Sequence, residues 1–199
     1  MAFSAVLLAA GRSTRMGRDK ALLEFAGTPL WQHQRDTLAR AGAAEILLSA
    51  RPEQAWAQSA AARFAAVLHD AQPDCGPLIG LTAGLERSTH PHLAVLAIDL
   101  PRVTAEWFTA RRDECTADVG VVGRRGMFFE PLAAIYPRDR RDVRRKVPRG
   151  LRDVSPFVRP GPNRAGRRGL PGTLISARMR RSSGGHRRGS CCPRSCSSP

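Results

Sequence analysis

A cationic, glycine-bearing turn near the N-terminus carries the residue types best suited to binding phosphate. Gly11 and Gly17 allow a ligand to approach the backbone closely, and the N–H groups of such a loop form an anion cradle. Within nine residues the turn holds one acid and four cations, Arg12, Arg15, Arg18 and Lys20. The spacing predicts a polyphosphate-binding loop, although similar turns also occur in α/β proteins that bind no phosphate.

Asp99 is the second candidate for a chemical role, because it lies at the end of the clearest predicted strand of the chain. The apolar run LAVLAIDL at 93–100 stops at Pro101. A carboxylate among buried apolar neighbours needs a partner, and Mg²⁺ is commonly held by one or two carboxylates plus phosphate oxygens and water. The pattern favours a magnesium ligand over the alternative, a cap for the helix beginning near Thr104, which the spacing fits poorly.

The elements that must position these residues read as successive β-α-β units. Residues 5–8, 44–50 and 65–69 are short apolar runs that predict strands, with helices between them. Such an order predicts right-handed crossovers and a parallel sheet, hence an α/β fold. Asp70 follows the third strand, at the edge where open α/β sheets bind ligands. By position alone, a helix cap or a turn explains Asp70 equally well.

Two later segments leave structural and functional interpretations open. Gly76, Gly80 and Gly84 recur at four-residue intervals, which predicts a helix with one face cleared for close packing or for a ligand. Glu130, in the predicted strand 128–137, could contact an acceptor substrate or serve as a surface or capping carboxylate.

The net charge of +15 is confined to one end of the chain. Residues 1–137 hold 14 Lys and Arg against 14 Asp and Glu, whereas residues 138–199 hold 18 against 3. No run approaches the roughly 18 apolar residues of a membrane span, and no signal peptide is evident. The five cysteines lack disulfide spacing, and a zinc site from the last three lacks a fourth ligand. A cytoplasmic protein without membrane contact is therefore expected.

The C-terminal segment departs from the pattern of the preceding chain. Residues 138–199 include seventeen arginines, many Gly, Pro and Ser, one Phe and no Trp or Tyr, so they have little to bury and are predicted to be disordered. We therefore expect a folded domain at 1–137 and a basic tail at 138–199. The tail is explained either by a shifted reading frame in a GC-rich gene or by a genuine arm that binds nucleic acid or other polyanions nonspecifically.

Four strings resemble motifs of the MobA-like nucleotidyltransferases. LAAGRSTRMGRDKALL matches the pattern L-A-x-G-x-x-x-R-M-G-x-x-K-x-L, and it is followed in order by the strings GPLIG, DLP and EPLAAIY. The resemblance covers about residues 1–137. It implies a Rossmann-like three-layer sandwich with a mostly parallel sheet. It also implies transfer of a nucleotidyl group from a nucleoside triphosphate to a phosphorylated acceptor such as molybdopterin, with release of pyrophosphate.

The same resemblance implies roles for individual residues. Arg15 and Lys20 would neutralise charge on the phosphates during catalysis, and Asp99 would bind Mg²⁺ and complete the catalytic set. The nucleotide would contact Leu8, Ala9, Ala10, Gly11, Lys20, Ser49, Asp70 and Asp99. Ser49 stands where the family pattern has asparagine.

The nucleotide and the activity stay open at the level of sequence. GTP is favoured, but the string is L-A-A-G rather than the L-A-G-G of guanylyl-transferring members, so CMP transfer is an alternative. The family's C-terminal N-x-N-T-P-E-D-like string is absent. An inactive fragment, or a polyanion binder acting through the tail, is the second function class.

Overall fold

The computed structural model describes residues 2–12, 17–69, 76–117, 119–125, 128–138 and 175–180. Four α-helices occur in these residues: α1 (Leu30–Arg40), α2 (Ala55–Ala60), α3 (Pro77–Arg87) and α4 (Ala105–Arg112). The strands are β1 (Ser4–Leu8), β2 (Glu24–Phe25), β3 (Thr28–Pro29), β4 (Glu45–Ala50), β5 (Ala66–His69), β6 (His92–Ala97), β7 (Val119–Arg125), β8 (Phe128–Pro137) and β9 (Ile175–Arg180). Short 3₁₀ turns span Lys20–Leu22 and Ala61–Arg63.

Among the described residues, seven strands form one sheet in the order β5-β4-β1-β6-β8-β7-β9. The first four are parallel, and β8, β7 and β9 each pair antiparallel with their preceding neighbour. Five of the seven strands therefore run in the same direction. The order of β5, β4, β1 and β6 places a topological switch point between β1 and β6, where open α/β sheets form their ligand crevice.

Helices cover both faces of the sheet. Because alternate residues of β1 point to opposite sides, each face of this strand packs against different helices. Ala5 and Leu7 join a large core with residues of α1, α2 and α4, while Val6 and Leu8 join a second core with residues of α3. Burying both faces explains why β1 is continuously apolar. The predicted three-layer α/β fold is confirmed.

The glycines of α3 serve close packing against the sheet. A Cβ atom on Gly80 would overlap Ser49 Oγ and lie 2.9 Å from Leu8 Cδ2, and one on Gly84 would lie 3.1 Å from Leu93 Cδ2. Gly76 differs, since it precedes the helix with a positive φ of 74°. Of the two alternatives, close packing and space for a ligand, the structure supports close packing at Gly80 and Gly84.

Three features of the sheet differ from the sequence expectation. First, β6 ends at Ala97 instead of continuing to residue 100, because a turn follows in which Leu100 N–H donates to the Ala97 carbonyl at 3.2 Å. Second, the pairing of β7 with β8 jumps after Val122, leaving residues 131–133 in a bulge. Third, β9 lies in the region predicted to be disordered, where six residues pair with β7. The rest of that region lies outside the described residues.

None of the helices in the described ranges is both long and apolar enough to cross a lipid bilayer.

Candidate functional site

A cleft opens at the carboxyl ends of the parallel strands, over the switch point between β1 and β6. Its volume is about 590 Å³, and it is bordered by the loop after β1, the ends of β4 and β6, and the start of α3. The strand register aligns Leu8 with Ser49 on one side and with Ala97 on the other. Strands that are distant in sequence therefore end at the same edge of the sheet, and the loops that follow them begin there.

Lys20 and Asp99 face each other across this cleft. The Lys20 Nζ atom lies 3.8 Å from Asp99 Oδ2, and the two side chains are 38% and 54% exposed. The sequence predicts that apolar neighbours enclose Asp99, but its side chain is about half exposed. The reason is that β6 ends at Ala97, two residues before Asp99, and a turn follows. The N-cap position of α4 is Thr104, so Asp99 does not cap that helix. Its carboxylate is available to a ligand in the cleft.

Most of the predicted nucleotide contacts lie in the cleft. The lining includes Leu8, Ala9, Ala10, Gly11, Lys20, Ser49 and Asp99. Arg15 and Asp70 lie outside the described residues. Gly17 has a positive φ of 65°, whereas Gly11 does not use the left-handed region, and a Cβ there would meet nothing within 4 Å. Among the described residues, neither backbone conformation nor close packing therefore requires glycine at position 11.

Two polar residues beyond β4, which sequence reasoning missed, hold the loop after β1. Arg51 Nη1 donates to the carbonyls of Ala10 and Gly11, both at 2.7 Å. The buried Gln54 donates through Nε2 to the Ala9 carbonyl at 3.1 Å. The available signal was the position of Arg51 directly after a predicted parallel strand, at the ligand-binding edge.

Asp19 connects the far end of the same loop to this group. Its Oδ2 accepts from Gln54 Nε2 at 2.6 Å and from Trp56 Nε1 at 2.9 Å, while Oδ1 accepts from Ala21 N–H at 3.0 Å. Asp19 thereby caps the 3₁₀ turn that contains Lys20. Sequence reasoning had treated Asp19 only as a charge opposing the four cations.

Glu130 lies beside the cleft, at the start of the bulge in β8. Its Oε1 accepts from Leu132 N–H at 3.3 Å, and Leu132 lines the cleft. Burial raises the pKa of Glu130 above its ordinary value; the Leu132 hydrogen bond opposes this shift, and the negative charge of Asp99 adds to it. Glu130 therefore caps its own bulge, which fits the structural alternative.

Glycine and proline at the start of α3 form the opposite wall. Gly76 and Pro77 line the cleft, so the N-terminal end of this eleven-residue helix faces the loop after β1. The partial positive charge of a helix N-terminus favours an anionic ligand.

Comparison with known proteins shows the family to which the sequence belongs. Residues 5–161 match the family model described as "MobA-like NTP transferase domain", which extends beyond the predicted boundary at 137. The chain is 38% identical over 161 residues to a "Probable molybdenum cofactor guanylyltransferase" of Opitutus terrae, covering 79% of this chain and 78% of that protein. It is 37% identical over 139 residues to the "Molybdenum cofactor guanylyltransferase" of Pseudomonas fluorescens, covering 67% of each.

Solved structures of low sequence identity share the fold. A nucleotidyl transferase from Methanothermobacter thermautotroptrophicus superposes with a TM-score of 0.60 at 18% identity, over 69% of this chain and 72% of that one. Molybdopterin-guanine dinucleotide biosynthesis protein A from Archaeoglobus fulgidus gives 0.53 at 23% identity, over 69% and 68%. With the family model matching more than half of the sequence, the chain belongs to the MobA-like NTP transferase family.

Proposed function

We propose that the protein transfers a nucleotidyl group, GMP in preference to CMP, from a nucleoside triphosphate to a phosphorylated acceptor such as molybdopterin. The observation that carries the proposal is the meeting of Lys20 and Asp99 in one cleft at the switch point. A cation on the loop after β1 and a carboxylate after β6 are the two charges that a metal-bound triphosphate would need. The family membership supports the reaction class.

The charges of the cleft favour a triphosphate that carries a divalent cation. The described lining has three cations, Arg12, Lys20 and Arg51, and three acids, Asp19, Glu53 and Asp99. These numbers leave the described lining without an excess of positive charge to neutralise a bare triphosphate, whereas the magnesium complex of a triphosphate carries less negative charge. No group of three or more potential metal ligands occurs among the described residues. The exposed Asp99 carboxylate fits Mg²⁺, which takes its remaining ligands from phosphate oxygens and water.

In the proposed reaction, a phosphate oxygen of the acceptor attacks the α-phosphorus of the triphosphate. A new oxygen–phosphorus bond forms to the acceptor, the bond between the α-phosphorus and its bridging oxygen breaks, and pyrophosphate leaves with the electron pair. Bound Mg²⁺ would neutralise phosphate charge. Such a transfer needs mainly positioning and electrostatic stabilisation from the protein. Lys20, with Arg15, supplies positive charge, and the loop after β1 supplies N–H donors.

The identities of the nucleotide base and of the acceptor are inferred from the relatives. Both curated relatives described above are named guanylyltransferases acting on the molybdenum cofactor, which favours GTP and a molybdopterin acceptor. Ala10, in place of the first glycine of L-A-G-G, keeps CTP as the alternative. We propose a cytoplasmic location from the absence of disulfide spacing among the cysteines.

A thermal-shift panel of GTP, CTP, ATP and UTP, each with and without Mg²⁺, tests the proposal. A ligand that binds only the folded state raises its melting temperature, so we expect selective stabilisation by one triphosphate, GTP first, and only with metal. Equal stabilisation by any polyanion without metal, lost at high salt, would instead support binding through the basic tail. No response to any triphosphate would contradict the proposed function.

A further inference from the structure

The carbonyl groups of the loop after β1 are held from one side by two side chains. Arg51 binds the Ala10 and Gly11 carbonyls, and Gln54 binds the Ala9 carbonyl. In a trans peptide unit the N–H points opposite to the C=O. Holding three successive carbonyls therefore also fixes the directions of the N–H groups that follow them, on Ala10, Gly11 and Arg12.

Two of these N–H groups are left available. Within the described residues, the N–H groups of Ala10 and Gly11 donate to no protein acceptor, although both residues line the cleft. Successive backbone donors with a common orientation form an anion-binding concavity. The contacts of Arg51 and Gln54 thus leave donors of the loop in place for a ligand.

The other end of the loop is held through Asp19. Gln54 Nε2 and Trp56 Nε1 both donate to Asp19 Oδ2, and Asp19 caps the turn that carries Lys20. Gln54 is itself fixed, since its Oε1 accepts from Arg51 N–H at 2.6 Å. One short segment after β4 therefore contacts both ends of a loop that lies more than thirty residues earlier in the chain.

We propose that Arg51, Gln54 and Trp56, here named the loop clamp, are positioning residues that hold the phosphate-binding loop and, through Asp19, place Lys20 toward Asp99. The proposal deepens the proposed function and rests on it. Trp56 is not a catalytic residue in this account, because it acts on the cleft only through Asp19. A preformed loop binds phosphate without first ordering its backbone, which lowers the entropic cost of binding.

The chain offers a matched pair of tryptophans for the test. Trp56 stacks on Trp31 with ring centroids 6.0 Å apart, and both are partly buried. In the described residues, only Trp56 of this pair donates a hydrogen bond. Trp56→Phe and Trp31→Phe remove the same atoms from one aromatic stack, but only the former breaks the contact with Asp19.

We expect Trp56→Phe to lower kcat/KM for the magnesium nucleotide by about tenfold, the scale of one lost hydrogen bond to a charged group. Trp31→Phe should shift the melting temperature similarly and leave kcat/KM within about twofold of wild type. If the clamp acts through Lys20, Trp56→Phe should have little further effect in a Lys20→Ala background, because coupled residues are not additive. Equal losses in the two Trp variants, or full additivity with Lys20→Ala, would overturn the proposal.

A second readout separates failure of the clamp from failure of the proposed function. Amide hydrogen exchange at Ala21, whose N–H donates to Asp19, is measured on the full chain without nucleotide. We expect exchange about tenfold faster in Trp56→Phe than in Trp31→Phe, since local opening sets the rate. A wild-type chain without triphosphate turnover would refute the function while leaving this comparison valid. Equal exchange in both variants would refute the clamp.

Discussion

At the scale of single residues, Lys20 is the side chain whose loss should most affect turnover. Lys20→Ala removes a cation that is partly exposed and paired across the cleft with Asp99 at 3.8 Å. We expect turnover to fall by about a hundredfold or more, the cost of removing one preorganised electrostatic group. The melting temperature should change little, because exposed ion pairs contribute about 1 kcal/mol or less.

The control for Lys20→Ala is Arg87→Ala, which removes a cation from the last turn of α3, away from the cleft. Steady-state kinetics and thermal unfolding of both variants check the prediction. Wild-type turnover in Lys20→Ala at unchanged stability would contradict the assigned role.

Asp99→Asn should separate metal dependence from folding. The substitution keeps the side-chain shape and removes the charge that fits Mg²⁺. Asp99 is 54% exposed, so we expect a small change in the free energy of unfolding, below about 1 kcal/mol. The additional stabilisation that magnesium gives to a bound triphosphate should disappear in thermal-shift titrations. A variant that keeps the full magnesium effect would remove Asp99 from the metal site.

Sequence reasoning predicted the position at the sheet edge of residues that follow strands, and it missed residues whose placement depends on long-range contacts. Lys20 and Asp99 belong to local strings after apolar runs, so their position at the sheet edge was predictable. Arg51 acts on Ala10 across 41 positions of sequence, and Gln54 acts on Ala9 across 45. No local pattern encodes such a pairing. The exposure of Asp99 was also mispredicted, because the turn that ends β6 depends on contacts after residue 97.

At the scale of elements, the contact between α3 and the sheet depends on small residues. In Gly80→Ala, the new methyl group would overlap Ser49 Oγ, and it would lie 2.9 Å from Leu8 Cδ2. Overpacking of this kind costs about 1–3 kcal/mol, which exceeds the gain of about 1 kcal/mol from replacing glycine by alanine in a helix. We therefore expect a net loss of stability in urea unfolding.

Gly84→Ala provides the comparison within the same helix. Its Cβ would lie 3.1 Å from Leu93 Cδ2 and 3.2 Å from Val6 Cγ1, contacts that small side-chain shifts can relieve. This variant should be more stable than Gly80→Ala. If Gly80→Ala were the more stable of the two, the packing of α3 against Ser49 described here would be wrong.

The elements themselves were predictable where their faces are uniformly buried. The apolar runs of β1, β4 and β6 gave bounds within a few residues of those observed, because each strand is covered on both sides. The bulge in β8 and the strand β9 lacked such a signal. A bulge is defined by its register with β7, and β9 is an edge strand with arginines at 178 and 180, so neither has a distinctive hydrophobic pattern.

At the scale of the whole molecule, a polar cluster at the end of the sheet opposite the cleft links stability to pH. Glu45 accepts hydrogen bonds from Ser4 Oγ and from Thr89 N–H, and His90 Nδ1 lies 3.8 Å from its Oε1. Burial acts to raise the pKa of Glu45, but these hydrogen bonds and the His90 charge outweigh it and lower the pKa below its ordinary value of 4.5. The folded state therefore favours the carboxylate form.

The sign of the pH effect follows from this lowered pKa. The stabilisation by Glu45 is complete at pH values above the ordinary pKa of this group. It is lost as the pH falls through the lower pKa that Glu45 has in the folded state. We expect Glu45→Gln to destabilise the protein near neutral pH, and this deficit relative to wild type to shrink on acidification. Urea unfolding from about pH 7 to about pH 3 measures it. Glu24→Gln, in β2, is the control, and a deficit for Glu45→Gln that stayed constant would contradict the linkage.

The pairing of β9 with β7 determines what the outer rim of the sheet presents to another copy of the chain. Without β9, the rim would be β7, whose sequence VGVVGRR is rich in valine and glycine and whose unpaired backbone groups would template intermolecular association. With β9 in place, the outermost strand among the described residues is ISARMR. The backbone groups of β7 at residues 119–124 are therefore engaged by β9 instead of being open to another chain.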